Sequence, residues 1–296
     1  MKKLLFCIAL LASSLGIASV SAQTIIDQED ESNFNDFYQK TLTKGKQAIP
    51  YAYLRESDVV WETAIWRTID FREKFNQFFY FPVSDEKGTN NQGRRSLITT
   101  VMQALASGEI EAFEDDDMRI PKDYQKIFDE LNRENHRTVT DYDEWGDETG
   151  THDTVIREEF DPGKVFKINL KEYWYIDKQD TRQKVRVVSM QFIYFYCKDR
   201  GDTKECMDAK MFWVPMNDMR VRNILVKSNA YDENNNNAYR TYDDVFIDRY
   251  FDSYVYRESN RFNREVTDYV TGTDAIIESQ SIEDKVFNIE SDMWEY

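Results

Sequence analysis

Residues 61–82 read WETAIWRTIDFREKFNQFFYFP, and the fold turns on whether that run is helix or strand. At roughly 100° per residue, Trp61, Ala64, Ile65, Thr68, Phe71, Phe75 and Phe79 fall on one side of a helical wheel. Ser57 and Asp58 offer N-caps, and Pro82 offers a stop. The spacing predicts a helix over about residues 58–79 with that side facing the core. Val59, Trp66 and Ile69 fall on a second side, among Glu62 and Glu73. A tryptophan there has two readings. Another element of the same domain covers it, or it anchors a subunit interface, where Trp is a favoured residue. Val59, Trp66 and Ile69 are therefore the interface candidates.

Downstream, Ser96 to Ala106 (SLITTVMQALA) reads as a second helix, with Gly108 as its stop. Asp115-Asp116-Asp117 and Pro121 mark a loop, and Lys122 to Arg133 reads as a short third helix. Beyond about residue 155 the pattern turns to strands. In Val165 to Leu170, Phe166, Ile168 and Leu170 share a face. Val185 to Tyr196 begins by alternating and then becomes apolar on both faces, as a central strand does. Met211 to Val214 returns after a turn containing Gly201. Cys197 and Cys206 flank that turn, so a disulfide between them staples a hairpin, with a closure gain of roughly 2–3 kcal/mol for so short a loop. The spacing is not that of a redox CxxC pair. Asn234 to Asn237 reads as a solvated loop. Thr241 with Asp244 resembles a capping box for Val245 to Phe251. Asp274 to about Trp294 reads as a terminal helix with the stripe Ile282, Val286, Ile289 and Met293.

Upstream, residues 1–22 read as a secretory signal peptide. Lys2 and Lys3 precede an apolar run too short to span a bilayer, and Val20-Ser21-Ala22 ends at a cleavage site before Gln23. Cys7 raises a lipoprotein alternative, but it sits near the start of the apolar run rather than after it. Residues 23–56 are polar and read as an extended or mobile arm. No second long apolar run exists, so no membrane span is expected. The net charge is −17, and −19 once the leader's two lysines are gone. That balance argues against nucleic acid or an anionic bilayer as the main partner. Aromatics make up 15% of the 296 residues, a surplus suited to a sizeable core and to contact surfaces.

Chemistry-bearing motifs are scarce. His136 and His152 are the only two histidines, have no third ligand at metal spacing and read as loop residues. No GxSxG and no GxxxxGK[ST] occurs. The stretch from Asp141 grazes a calcium loop, but Trp145 and His152 stand where oxygen ligands are needed. Paired carboxylates for sugar hydrolysis are not singled out among 55 acids. Arg200-Gly201-Asp202 reads as turn chemistry. The residues therefore predict no catalytic, metal or cofactor site.

Five stretches resemble, in order, the GldN/PorN family of the Bacteroidota type IX secretion and gliding-motility machinery. They are DVVWETAIWRTIDFREKFNQFFYFP (58–82), RRSLITTVMQALASGEIEAFEDD (94–116), LKEYWYIDKQDTRQKVRVVSM (170–190), TYDDVFIDRYFDSYVYRESNRFNRE (241–265) and EDKVFNIESDMWEY (283–296). Residues 23–56 and 117–160 carry little of it, and the Cys197/Cys206 pair is not part of it. The resemblance implies a periplasmic, non-enzymatic subunit of ring-shaped assemblies without cofactors. The implied partners are an outer-membrane lipoprotein of the GldK/PorK family and the periplasmic part of the inner-membrane protein GldM/PorM. The alternatives are a periplasmic carbohydrate-binding module or glycosidase, and a soluble chaperone for exported cargo.

The expected architecture is α+β. A helical part covers about 57–135, a mostly antiparallel sheet about 155–272, and a terminal helix about 274–294.

Overall fold

The computed structural model describes residues 45–83, 94–132, 134–142, 148–157, 160–200, 203–232, 235 and 240–293. Over 134–142, 148–157, 198–200 and 203–205 it describes the backbone alone. The predicted leader, most of the predicted arm, Gly201 and most of the Asn234–Asn237 loop lie outside these residues.

The first half of the 61–82 run is strand rather than helix. β1 (Val59–Asp70) occupies twelve residues, eight of them β-branched or aromatic, the composition that packs well on a pleated surface. It is followed by a single 3-10 turn at Lys74–Asn76 and by α1 (Gln77–Tyr80). The helical wheel misled because Ala64 to Ile69 are buried without interruption. A strand covered on both faces loses its period of two, and what remains imitates helical spacing. Phe71 and Phe79 do reach the core and stack at 5.5 Å. Phe75, predicted to join them, is 46% exposed.

The other sequence-derived elements stand close to their predicted places. α2 (Leu97–Ala106) starts at Ser96, whose side chain accepts the Thr99 amide, and Gly108 follows with φ +73°. β2 (Ala112–Phe113) and β3 (Pro121–Lys122) flank the acidic loop, and α3 (Tyr124–Leu131) comes next. β4 (Glu134–Tyr142) and β5 (Glu148–Arg157) pair antiparallel as a separate two-stranded sheet. His136 and His152 thus lie on strands, opposite Val155 and Val139, rather than in loops. β6 (Val165–Asp177), β7 (Gln183–Arg200) and β8 (Thr203–Pro215) form a meander. α4 (Met219–Lys227) and α5 (Tyr242–Ile247) follow, the latter opened by a complete Thr241/Asp244 capping box. β9 (Tyr254–Glu258) and α6 (Thr273–Met293) end the described chain.

The main sheet has the order β3-β2-β8-β7-β6-β1-β9, and its pairs are antiparallel. The 185–196 run is indeed the central strand. Both edge strands are short, and one contains Pro121, which limits further strand pairing. Register aligns Ile69, Ile168 and Phe192 in one row, and Leu170, Met190 and Val214 in the next. These rows pack with Leu97, Val101, Leu225, Tyr242 and Phe246 from the helices to make the main core. α6 covers the same face further along, where Ile282 and Val286 meet Ile65 and Val255. The α+β class, the antiparallel sheet and the C-terminal helix are as the sequence predicts. The front of the chain supplies a strand to the sheet where a helix was expected.

Tyr242 has no exposed surface. Its hydroxyl donates to Arg95 O at 2.8 Å, with Phe78 O at 3.3 Å. Burial pushes the phenol well above its ordinary pKa. Above the unfolded value, about pH 10, the unfolded chain releases a proton that the folded chain keeps, so stability falls as pH rises. Tyr242→Phe should cost about 1–2 kcal/mol at neutral pH. The gap between variant and wild type should narrow above pH ~10, where only the wild type carries this penalty. Urea unfolding at the two pH values measures both effects.

Candidate functional site

Glu172 lies opposite Ile65 in the β1–β6 register and has no exposed surface. Burying a carboxylate requires opposite charge and hydrogen bonds. Arg249 Nη1 donates to its Oε1 at 2.7 Å and Trp174 Nε1 to its Oε2 at 3.1 Å. Arg67 Nε lies 3.2 Å from Oε2 as an ion-pair contact. Arg67 Nη1 reaches on to Glu283 of α6 and to Ser253 Oγ. The network joins β1, β6, the turn after α5 and the terminal helix. Arg249 itself sits at φ +53°, a conformation that L residues other than Asn and Asp rarely adopt.

The opposite face of the sheet carries a polar row. Thr68 Oγ1 donates to Asn169 Oδ1 at 2.8 Å, and Asn169 Nδ2 donates to Gln191 Oε1 at 3.2 Å, all three side chains buried. The next row places Arg257, Trp66, Lys171 and Ser189 side by side. The acidic loop between β2 and β3 folds over this row through its three aspartates. Asp115 holds the loop itself, accepting from the amides of Arg119 and Ile120. Asp116 Oδ2 accepts from Trp66 Nε1 at 3.0 Å. Asp117 Oδ1 accepts from Lys171 Nζ at 2.8 Å, and that bond holds its carboxyl below the usual range. The Arg257 guanidinium lies 3.8 Å from the centre of the Trp66 ring, a cation–π contact.

Two neighbouring clefts open on this face, of about 430 and 340 Å³, and both are lined by Asp116 and Arg257. Charged groups on their walls are largely paired within the chain. Lys171 is held by Asp117, Lys210 by Glu265 and Lys122 by Glu130. A carboxylate pair for sugar chemistry needs one member poised as a proton donor. Asp117 is shifted the other way. Among the described residues, no group of three or more His, Cys, Asp or Glu could hold a metal ion.

The predicted interface candidates are separated by the strand. Ile69 is buried in the main core, Trp66 lies on the opposite face at 5% exposure, and Val59 is half-buried at the start of β1. A helical wheel puts Trp66 and Ile69 together, whereas the period of two sends them to opposite faces. Neither offers surface to a neighbouring subunit. Of the two readings left open for Trp66, coverage by another part of the same domain is the one observed. Cys197 and Cys206 are direct cross-strand partners on the β7–β8 hairpin and are joined by a disulfide. No local pattern points to Asp116, Lys171 or Arg257, because Trp66 meets an acid 50 residues away in sequence.

The end of the predicted arm is pinned rather than loose. Arg222 forms a two-pronged pair with Asp243 at 2.9 Å and donates to Ile49 O at 2.6 Å. Its guanidinium sits 4.3 Å from the Tyr51 ring centre, and Arg186 Nη2 donates to Ala52 O.

Compared with models of known families, residues 54–295 match the one described as gliding motility associated protein GldN. The chain belongs to the GldN family. The matched span takes in every helix and strand described above, so the sheet, the covered Trp66 face and α6 all lie inside the family's domain. Membership makes the chain a component of the gliding-motility and type IX secretion machinery. A search of curated proteins returned no match. Among the described residues, no helix is long and apolar enough to cross a membrane.

Trp66→Ala should lower stability by about 3–5 kcal/mol, since it removes a buried ring and the indole hydrogen bond to Asp116. Trp66→Phe should cost less, by keeping a ring and losing only the hydrogen bond. Thermal melts of the two variants check the ranking. An unchanged melt for Trp66→Ala would show that the ring is not buried.

Proposed function

We propose that this chain is a non-enzymatic periplasmic scaffold subunit of the type IX protein secretion system, and of gliding motility where the host glides. It self-associates in a ring with a GldK/PorK-like outer-membrane lipoprotein and meets the periplasmic part of a GldM/PorM-like inner-membrane protein. The family match across residues 54–295 carries this reading. The surface supports it. Ile49, Tyr53, Val60 and Phe262 are each at least 60% exposed, which suits a protein that acts by binding. The carbohydrate reading calls for open aromatic rings beside two poised carboxylates. Trp66 and Trp213, the tryptophans of the two clefts, are 5% and 6% exposed.

Affinity capture of a tagged copy from gently solubilised envelopes tests the proposal. Size-exclusion chromatography and mass spectrometry should find a large particle containing an outer-membrane lipoprotein in stoichiometric amount. A small monomer without a stoichiometric partner would overturn the scaffold assignment.

A further inference from the structure

The terminal helix is fixed to the sheet by one side only. Ile282 and Val286 enter the core, Ser279 Oγ accepts the Val255 amide at 2.9 Å, and Gln183 Nε2 donates to Val286 O at 3.1 Å. Glu283 is held by Arg67, and Lys285 lies 3.5 Å from Glu258. With that side complete, Ile276, Ile277 and Phe287 remain 71%, 66% and 70% exposed. On a helix, positions eleven apart lie about 20° apart around the axis and about 16 Å apart along it. Ile276 and Phe287 therefore share one stripe, and Ile277 lies about 80–100° further round the helix. Three large apolar side chains on the outer side of a rigid helix have no role in the chain's own core.

The frame around the stripe is acidic. Asp274, Asp284, Glu290 and Asp292 have no cationic partner among the described residues, and Lys285 is the helix's only base. We infer that the outer side of α6 docks a basic amphipathic helix of a protein partner. Its apolar side would cover Ile276, Ile277 and Phe287, and its Lys or Arg flanks would meet Asp284 and Glu290. The separation of Ile276 and Phe287 matches the i and i+11 anchors of a helix laid alongside. The charge excludes two other occupants. A second copy of α6 would bring the same acids face to face. An anionic lipid surface, which attracts basic amphipathic helices, repels this one.

The inference deepens the reading that the chain acts by binding and does not use the identity of the envelope partners. Its test uses the secreted chain with a leucine/lysine amphipathic helical peptide and a composition-matched scramble, read by fluorescence anisotropy. The amphipathic peptide should bind at least tenfold tighter than the scramble. Ile276→Ser with Phe287→Ser should remove that margin with an unchanged Tm, because both side chains are exposed. Asp284→Lys with Glu290→Lys should weaken the amphipathic peptide more than Asp129→Lys, a charge reversal on α3, which packs by β7 and β8. Equal binding of peptide and scramble, or margins unmoved by the α6 variants, would overturn the inference. So would concentration-dependent dimers abolished by the Ser variants, which would make a second copy the occupant. Envelope capture reads the scaffold assignment without these peptides, so the two proposals fail separately.

Discussion

A carboxylate with no access to water constrains everything around it. Glu172 gives up its hydration only because Arg67, Arg249 and the Trp174 indole converge on it. That convergence needs β1 beside β6, the chain after α5 turned to a positive φ, and α6 laid where Glu283 can take Arg67's second prong. Removing one partner would leave a buried charge uncompensated, which is far costlier than the net worth of the pair. The cluster thus specifies one arrangement of the terminal helix on the sheet. Apolar packing by Ile282 and Val286 alone would tolerate sliding.

The same logic operates on the opposite face. Charged and aromatic side chains there are matched to one another, as in Trp66 with Asp116 and Arg257, and Lys171 with Asp117. These contacts hold the acidic loop against the sheet and leave few charges for chemistry. The apolar surplus is displayed instead at the periphery, on the pinned segment through Ile49 and Tyr53 and on α6. Large apolar side chains left exposed outside a complete core suit contact with other proteins. That agrees with membership of a family of secretion-machinery components.

Local signals were legible where a single residue or a short period does the physical work. Ser96 and the Thr241/Asp244 pair satisfy orphan amides within one turn of themselves, so their sequence context suffices. The apolar run of β7 reads as a central strand because both its faces are covered from Ser189 to Tyr194. Cys197 and Cys206 face each other because a hairpin fixes their register. The cleft residues were not legible. Asp116, Lys171 and Arg257 come from three distant parts of the chain, and each alone looks like an ordinary surface charge.

The sequence by itself determined the α+β class, the meander of β6 to β8, the capped helices and the inward placing of Ile282 and Val286 on the terminal helix. Only the tertiary structure decided the state of residues 59–70. Their partners in β6 and β9 lie about a hundred or more residues away. Helical periodicity is tested within one turn, whereas a strand's alternation is legible only if one face meets water. β1 has helices on one face and the acidic loop on the other, so its pattern carries no face. Nothing local distinguishes Trp66 as an outward anchor from Trp66 as a buried ring. The loop that covers it decides, and that loop is placed by the sheet.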